Sequence, residues 1–154
     1  MTVLDKAEWQ YDTAMKIYCE NTGKKPEELT EDDQEIIWEY SGNHIALFIT
    51  WLIKHDYMGE IHHEEKSEEA ELEAVKNQEK TGMDILKKYC DMRFTQEDVS
   101  DNALFFVQDY YENKYMNDYS DMMGESKILS TGFSWDDYLK IEPVIDEAFF
   151  EAGF

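Results

Sequence analysis

Between Glu39 and Lys54 the chain runs for 14 residues, Tyr40 to Ile53, without a formally charged side chain. Ile45, Leu47, Phe48, Ile49, Trp51, Leu52 and Ile53 leave no polar stripe in this run when it is wound at about 3.6 residues per turn. A helix that is apolar around most of its circumference has to be covered on several sides. The run is too short to cross a bilayer, which takes about 20 mostly apolar residues, and Ser41, Gly42 and Asn43 interrupt it. We therefore expect a buried central helix over about residues 43–57, with the rest of the chain wrapped around it.

The rest of the pattern is also helical. Only two prolines and seven glycines punctuate 154 residues, and Val, Ile and Thr do not fall into short alternating runs. A hydroxyl followed three residues later by an acid recurs at Thr30/Asp33, Thr81/Asp84, Thr95/Asp98 and Ser134/Asp137. In each, the side-chain oxygen can accept from an early backbone N–H and so start a helix. With Gly23, Gly59 and Gly124 as stops, these starts predict helices over residues 4–20, 30–57, 65–79, 81–92, 102–123 (in two pieces meeting at Asn113) and from 135 onward. Trp9, Ala14 or Met15, Ile17 and Tyr18 should point inward from the first. The second should bend at Ser41-Gly42-Asn43, and the last should break at Glu142-Pro143, where proline removes an N–H. The segment from 65 to 79 reads as a solvated helix, with only Ile61, Leu72 and Val75 nearby to pack. The expected fold is all-α, a single-domain irregular bundle of about six helices.

Charge narrows the functions. Fourteen basic residues face 36 acidic ones, a formal net charge of −22 and a pI of about 4.3. Direct binding to nucleic acid or an anionic membrane needs clustered cations, so both are set aside. Aromatic residues make up 14% of the chain, too many for an acidic disordered segment. The start Met-Thr-Val-Leu-Asp-Lys-Ala-Glu has no basic and apolar export pattern. Cys19 and Cys90 lie 71 residues apart with no Cys-x-x-Cys spacing, and are expected as free thiols in a reducing cytoplasm.

No catalytic signature appears, and no cofactor or metal is expected. His44 and His55 share a helix face but stand about 16 Å apart along it, too far for one ion. His62 and His63 are neighbours in an acidic segment and read as a solvated loop. Glu60-x-x-His63 matches half of a di-metal bundle element, but its second copy is missing. His44, in line with Phe48 and Trp51, reads as a buried imidazole held by an acid or a tyrosine. Nucleophile elbows and glycine-rich phosphate loops are absent.

The acids are concentrated. Residues 27–35 hold Glu27, Glu28, Glu31, Asp32, Asp33 and Glu35, and residues 60–73 hold seven glutamates against Lys66. Such density repels itself, so a basic partner is one reason to keep it. Tyr110, Tyr111, Tyr115 and Tyr119 interleave with Asp109, Glu112, Asp118 and Asp121, a composition suited to Lys- and Arg-rich surfaces unless the rings pack on the core. The expected partner-binding residues are Asp109, Tyr111, Glu112, Tyr115, Asp118 and Tyr119, followed by Glu64, Glu65 and Glu68.

His44-Ile-Ala-Leu-Phe-Ile-Thr-Trp51 followed by Gly59-Glu60 resembles an uncharacterised family of small bacterial proteins, as does Thr81-Gly-Met-Asp-Ile-Leu86. Phe106-Val-Gln-Asp-Tyr-Tyr-Glu112, Tyr115, Asp118-Tyr119, Trp135 and Tyr138 continue the pattern, so the resemblance covers residues 40–145. The N-terminal region with Trp9 and Tyr11 lies before it, separated from the helix by an acidic insertion that is not part of the resemblance. The resemblance implies a shared fold and a bacterial cytosolic setting, but no chemistry. The functional expectation is an acidic, non-enzymatic protein-interaction module. By analogy with other small acidic proteins, it would be an immunity protein or antitoxin that neutralises a basic nuclease-type toxin. The alternatives are a nucleic-acid mimic that blocks a DNA-binding protein, and a metal-dependent enzyme using His44, His55 or His63.

Overall fold

The computed structural model describes residues 2–153, and its central helix lies where the uncharged run places it. Helix α2 spans Glu31–Lys54, and every residue from Ser41 to Ile53 is buried. It starts at the expected cap, with the Asp33 N–H donating to Thr30 Oγ1 at 3.1 Å and the Thr30 N–H to Asp33 Oδ2 at 2.9 Å. A cap of this kind contributes about 1 kcal/mol. Around α2 pack α1 (Glu8–Thr22), α3 (Lys66–Lys76), α4 (Gly82–Tyr89) and α7 (Trp135–Glu151). A last rod joins α5 (Asp101–Tyr110), a π-helical turn at Tyr111–Tyr115 and α6 (Met116–Met123) without a break. Counted as rods, the described residues form the expected six helices, and most of their buried apolar side chains make one cluster running from Ala7 to Ile145.

Several local expectations change. Residues 4–6 are not the first turn of α1. They belong to strand β1 (Val3–Lys6), which pairs antiparallel with β2 (Arg93–Thr95), Asp5 opposite Phe94 and Lys6 opposite Arg93. Strands this short carry no readable alternation, and they form because the two segments meet in the folded chain. Thr95 and Asp98 do make their cap, but it opens a single 3-10 turn at Gln96–Asp98, and α5 starts three residues later. Trp9, expected inward, is exposed, and so is Ile61, whereas Ala14 is buried as expected.

Glycines also act differently from their expected roles. Gly23 ends α1 at φ +78°, as a helix stop should. At the end of α2, however, Asp56 takes the left-handed turn, with φ +61°. Gly59 has an ordinary φ of −68° and is needed for space, since a Cβ there would lie 2.0 Å from the Glu97 carbonyl oxygen. Gly42 sits inside an unbroken α2, with the side chains of Ala7, Leu86 and Met92 close above it.

Helix α7 continues through Pro143. The Leu139 carbonyl loses its usual donor there, and Pro143 lies on the exposed side. Ile141 and Ile145 are buried on either side of it, so tertiary packing holds the helix together. Pro143→Ala should therefore stabilise the protein, by about 1–2 kcal/mol, because it restores a donor at an exposed interior position. Urea denaturation at pH 7 would measure the gain, and unchanged or lower stability would contradict this account of α7.

Candidate functional site

The tyrosine row is the first group of expected site residues to be relocated. In a regular helix Tyr110 and Tyr111 would point about 100° apart, on different faces. The π turn between α5 and α6 adds a residue to the helical repeat, and Tyr110, Tyr111, Tyr115 and Tyr119 are all buried. Tyr111 OH donates to Asp5 Oδ2 at 2.7 Å, and Tyr115 OH donates to the His44 carbonyl at 2.5 Å. Asn43 Nδ2 donates to Tyr119 OH at 3.2 Å, while Asn43 Oδ1 has no protein donor. Burial raises the Tyr111 and Tyr115 hydroxyls well above their ordinary range and pushes Tyr119 up to about 12, so all three stay protonated. Tyr111, Tyr115 and Tyr119 therefore do not form a partner-binding face. Their rings pack against Phe48 and one another, which a helical period of four permits as readily as exposure.

His44 has the acid and tyrosine surroundings expected of it. Its Nε2 lies 2.9 Å from Asp5 Oδ2, the same oxygen that receives Tyr111 OH. Burial works to raise the Asp5 pKa, but hydrogen bonds from His44, Tyr111 and the Lys6 N–H outweigh it and hold the carboxyl below its ordinary value. β1 is therefore fastened to α2 and to the π turn through one buried carboxylate.

The other histidines do not join it. His55 Nδ1 is 2.9 Å from the Trp51 carbonyl and its Nε2 is 3.1 Å from Asp146, whose Oδ1 also accepts from Trp51 Nε1 at 2.8 Å. His63 is exposed beside Glu69 at 3.2 Å. A centre shared by His44, His55 and His63 is not formed.

His62 is the surprise. Expected in a solvated loop, it is 2% exposed, at the end of the 3-10 turn Glu60–His62. Its Nδ1 meets Glu68 Oε2, and its Nε2 lies 2.7 Å from Asp98 Oδ1. Burial would lower the pKa of this imidazole, but the hydrogen bonds to Asp98 and Glu68 outweigh that and raise it. The other Asp98 oxygen, Oδ2, accepts from the Thr95 N–H at 2.8 Å and from Thr95 Oγ1 at 3.1 Å. Cys90 Sγ is 3.8 Å from Asp98 Oδ1, and burial, together with the charges of Asp98 and Glu68, pushes its thiol far up. Among the described residues, His62, Cys90 and Asp98 are the one group whose potential ligand atoms all lie within 4.8 Å of one another. Glu68 is correspondingly lost as a surface acid: at 5% exposed, it is committed to His62.

The remaining expected acids face solvent. Glu64, Glu65, Asp109 and Glu112 are exposed, and Asp118, half-buried, accepts from Tyr110 OH at 2.6 Å. In the 27–35 run, Asp33 is buried and held well below the usual carboxylate range by Lys24, the Thr30 N–H and Tyr18. Between the α5–α6 rod and α7 lies a groove of 530 Å³ lined by Asp109, Asp118, Glu147 and Glu151, with Lys114 as its cation. Glu147 and Glu151 were not among the expected residues. Their i,i+4 spacing is visible in the sequence, but which face of α7 meets α5 is not.

A family model described as a domain of unknown function (DUF7832) matches residues 3–131, and the chain belongs to that family. The match takes in β1 and α1, which the resemblance left outside, and it ends before α7. No curated protein and no solved structure matches the chain.

Proposed function

We propose that this family member is an acidic interaction module that binds a basic protein. Its partner would be a nuclease-type toxin, neutralised in the bacterial cytosol in the manner of an immunity protein or antitoxin. The observation carrying this reading is the groove in which Asp109, Asp118, Glu147 and Glu151 face one space with Lys114 as its cation, on a chain of net charge −22. A field of one sign focused in a cleft speeds encounter with a cationic surface and disfavours acidic competitors. A nuclease holds phosphate with Lys and Arg, and carboxylates take the same side chains in charge-assisted hydrogen bonds, so a bound acidic groove excludes the substrate. The exposed Glu64, Glu65 and Glu112 extend the negative field. The free thiols of Cys19 and Cys90 suit a reducing compartment.

Asp109→Lys, Glu147→Lys and Glu151→Lys, combined, test the reading. The three side chains lie on the groove, and Asp109, Glu147 and Glu151 are exposed, so the fold should survive. Wild-type and variant protein would be immobilised and exposed to lysate of the source organism at about 0.1 M and 0.5 M salt, which shortens the screening length. A stoichiometric basic protein should be retained by the wild type and weakened by roughly tenfold or more in the variant. If circular dichroism is unchanged and both proteins hold the same partner equally, or neither holds a basic one, the assignment fails.

A further inference from the structure

We propose that His62, Asp98 and Cys90 form a site for one divalent transition-metal ion of the zinc type, with Glu68 as the carboxylate that orients the histidine. The three donors come from separate segments: the 3-10 turn Glu60–His62, the residue after α4, and the 3-10 turn Gln96–Asp98. Only the folded chain brings them within 4.8 Å of one another. One nitrogen, one oxygen and one sulfur donor are the set zinc accepts, at about 2.0–2.3 Å from each. In tetrahedral geometry those bond lengths set the donors roughly 3–4 Å apart. The 3.8 Å between Cys90 Sγ and Asp98 Oδ1 fits already, and the 2.7 Å between His62 Nε2 and Asp98 Oδ1 has to open slightly as an ion takes the place of a proton.

The surroundings have the form of a metal-binding histidine's supports. Metal-binding imidazoles usually donate their second N–H to a carboxylate, which fixes the tautomer and the ring plane. Glu68 occupies that place on Nδ1, leaving Nε2 to face Asp98 and the thiol. Thr95 holds Asp98 Oδ2 with its N–H and hydroxyl, which leaves Oδ1 toward the site.

Binding would displace the proton of Cys90 Sγ and the one His62 Nε2 shares with Asp98 Oδ1, both released to solvent, because zinc takes a thiolate and a neutral imidazole. Three protein donors leave the fourth position for water or another small ligand. The site lies apart from the acidic groove and does not depend on the partner-binding reading.

The test uses the full-length, tag-free chain stripped with a chelator and titrated with zinc against a chromophoric competitor, and separately with cobalt. One equivalent of zinc should bind, and cobalt should give the near-ultraviolet band of a thiolate bond. Cys90→Ser, close in size to the native residue, should abolish that band. Asp98→Asn should weaken zinc binding, and Glu68→Gln should weaken it by about 10–100-fold. His63→Ala, which removes an exposed imidazole, should change nothing. Binding lost in His63→Ala and retained in Cys90→Ser, or no stoichiometric binding by the wild type, overturns the proposal. If Asp98→Asn fails to fold, the cobalt band in wild type against Cys90→Ser decides alone.

Discussion

Replacing Asp5 with alanine is expected to destabilise the protein by about 3–5 kcal/mol, because it leaves two buried donors without an acceptor. Asp5 Oδ2 receives both His44 Nε2, at 2.9 Å, and Tyr111 OH, at 2.7 Å, and Oδ1 takes the Lys6 N–H at 2.8 Å. His44 and Tyr111 are buried, at 1% and 4% exposed, so a lost partner leaves their donors in a place of low polarity. Loss on this scale is a large share of a typical folding free energy of about 5–15 kcal/mol. Urea unfolding at pH 7 would measure it, and a loss below about 1 kcal/mol would mean that β1 is not anchored through this carboxylate.

The same residue carries a pH signature with a fixed sign. The folded-state pKa of Asp5 is depressed below its ordinary value of 3.8, so its contribution is fully present above that value. It is lost as pH falls through the depressed folded value, because protonation then accompanies unfolding. A stability series from pH 7 to pH 3 should show a steeper acid fall in the wild type than in Asp5→Asn, which cannot ionise. Parallel curves would show that the carboxylate is not perturbed in the folded protein.

Gly82→Ala should cost roughly 3 kcal/mol, the upper part of the range for overpacking a core contact. A Cβ at Gly82 would stand 2.1 Å from Thr50 Oγ1 and 2.4 Å from the Ala46 carbonyl oxygen, so α4 could not keep its place against α2. Backbone on one side of the clash cannot rotate away as a side chain would. For a chain of this length the loss corresponds to a fall in Tm of roughly 6–12 °C. Gly132→Ala is the control, because its Cβ would meet only Tyr40 at 3.7 Å, an ordinary contact. Calorimetry of both variants would decide, and equal Tm values would refute the close crossing of α2 and α4.

The functional residues divide by what fixes them. Asp109, Glu112, Glu64 and Glu65 are exposed acids on the sequence reading and in the structure alike, because a lone charge at the surface needs no partner. Tyr111, Tyr115, Tyr119 and Glu68 are not: the three tyrosines are taken up by contacts distant in sequence, Asp5, the His44 carbonyl and Asn43, and Glu68 by His62, which is itself buried only by the fold. A tyrosine has the composition of both a core and an interface residue, so its pattern alone cannot separate them. The His62 cluster was hidden for a related reason. Its members are spread from position 62 to position 98, with no motif spacing between them.

By itself the sequence determined the all-α bundle, the central helix and most helix starts. These depend on local quantities: apolar periodicity and a hydroxyl that caps a backbone N–H three residues away. Only tertiary structure decided the rest. β1 pairs with β2 across about ninety residues, the π turn gathers four tyrosines, α7 continues through Pro143, and Gly59 and Gly82 are required by backbone pressed against them. Each of these outcomes depends on which segments meet, and the energy of a long-range contact appears in no window of sequence short enough to read.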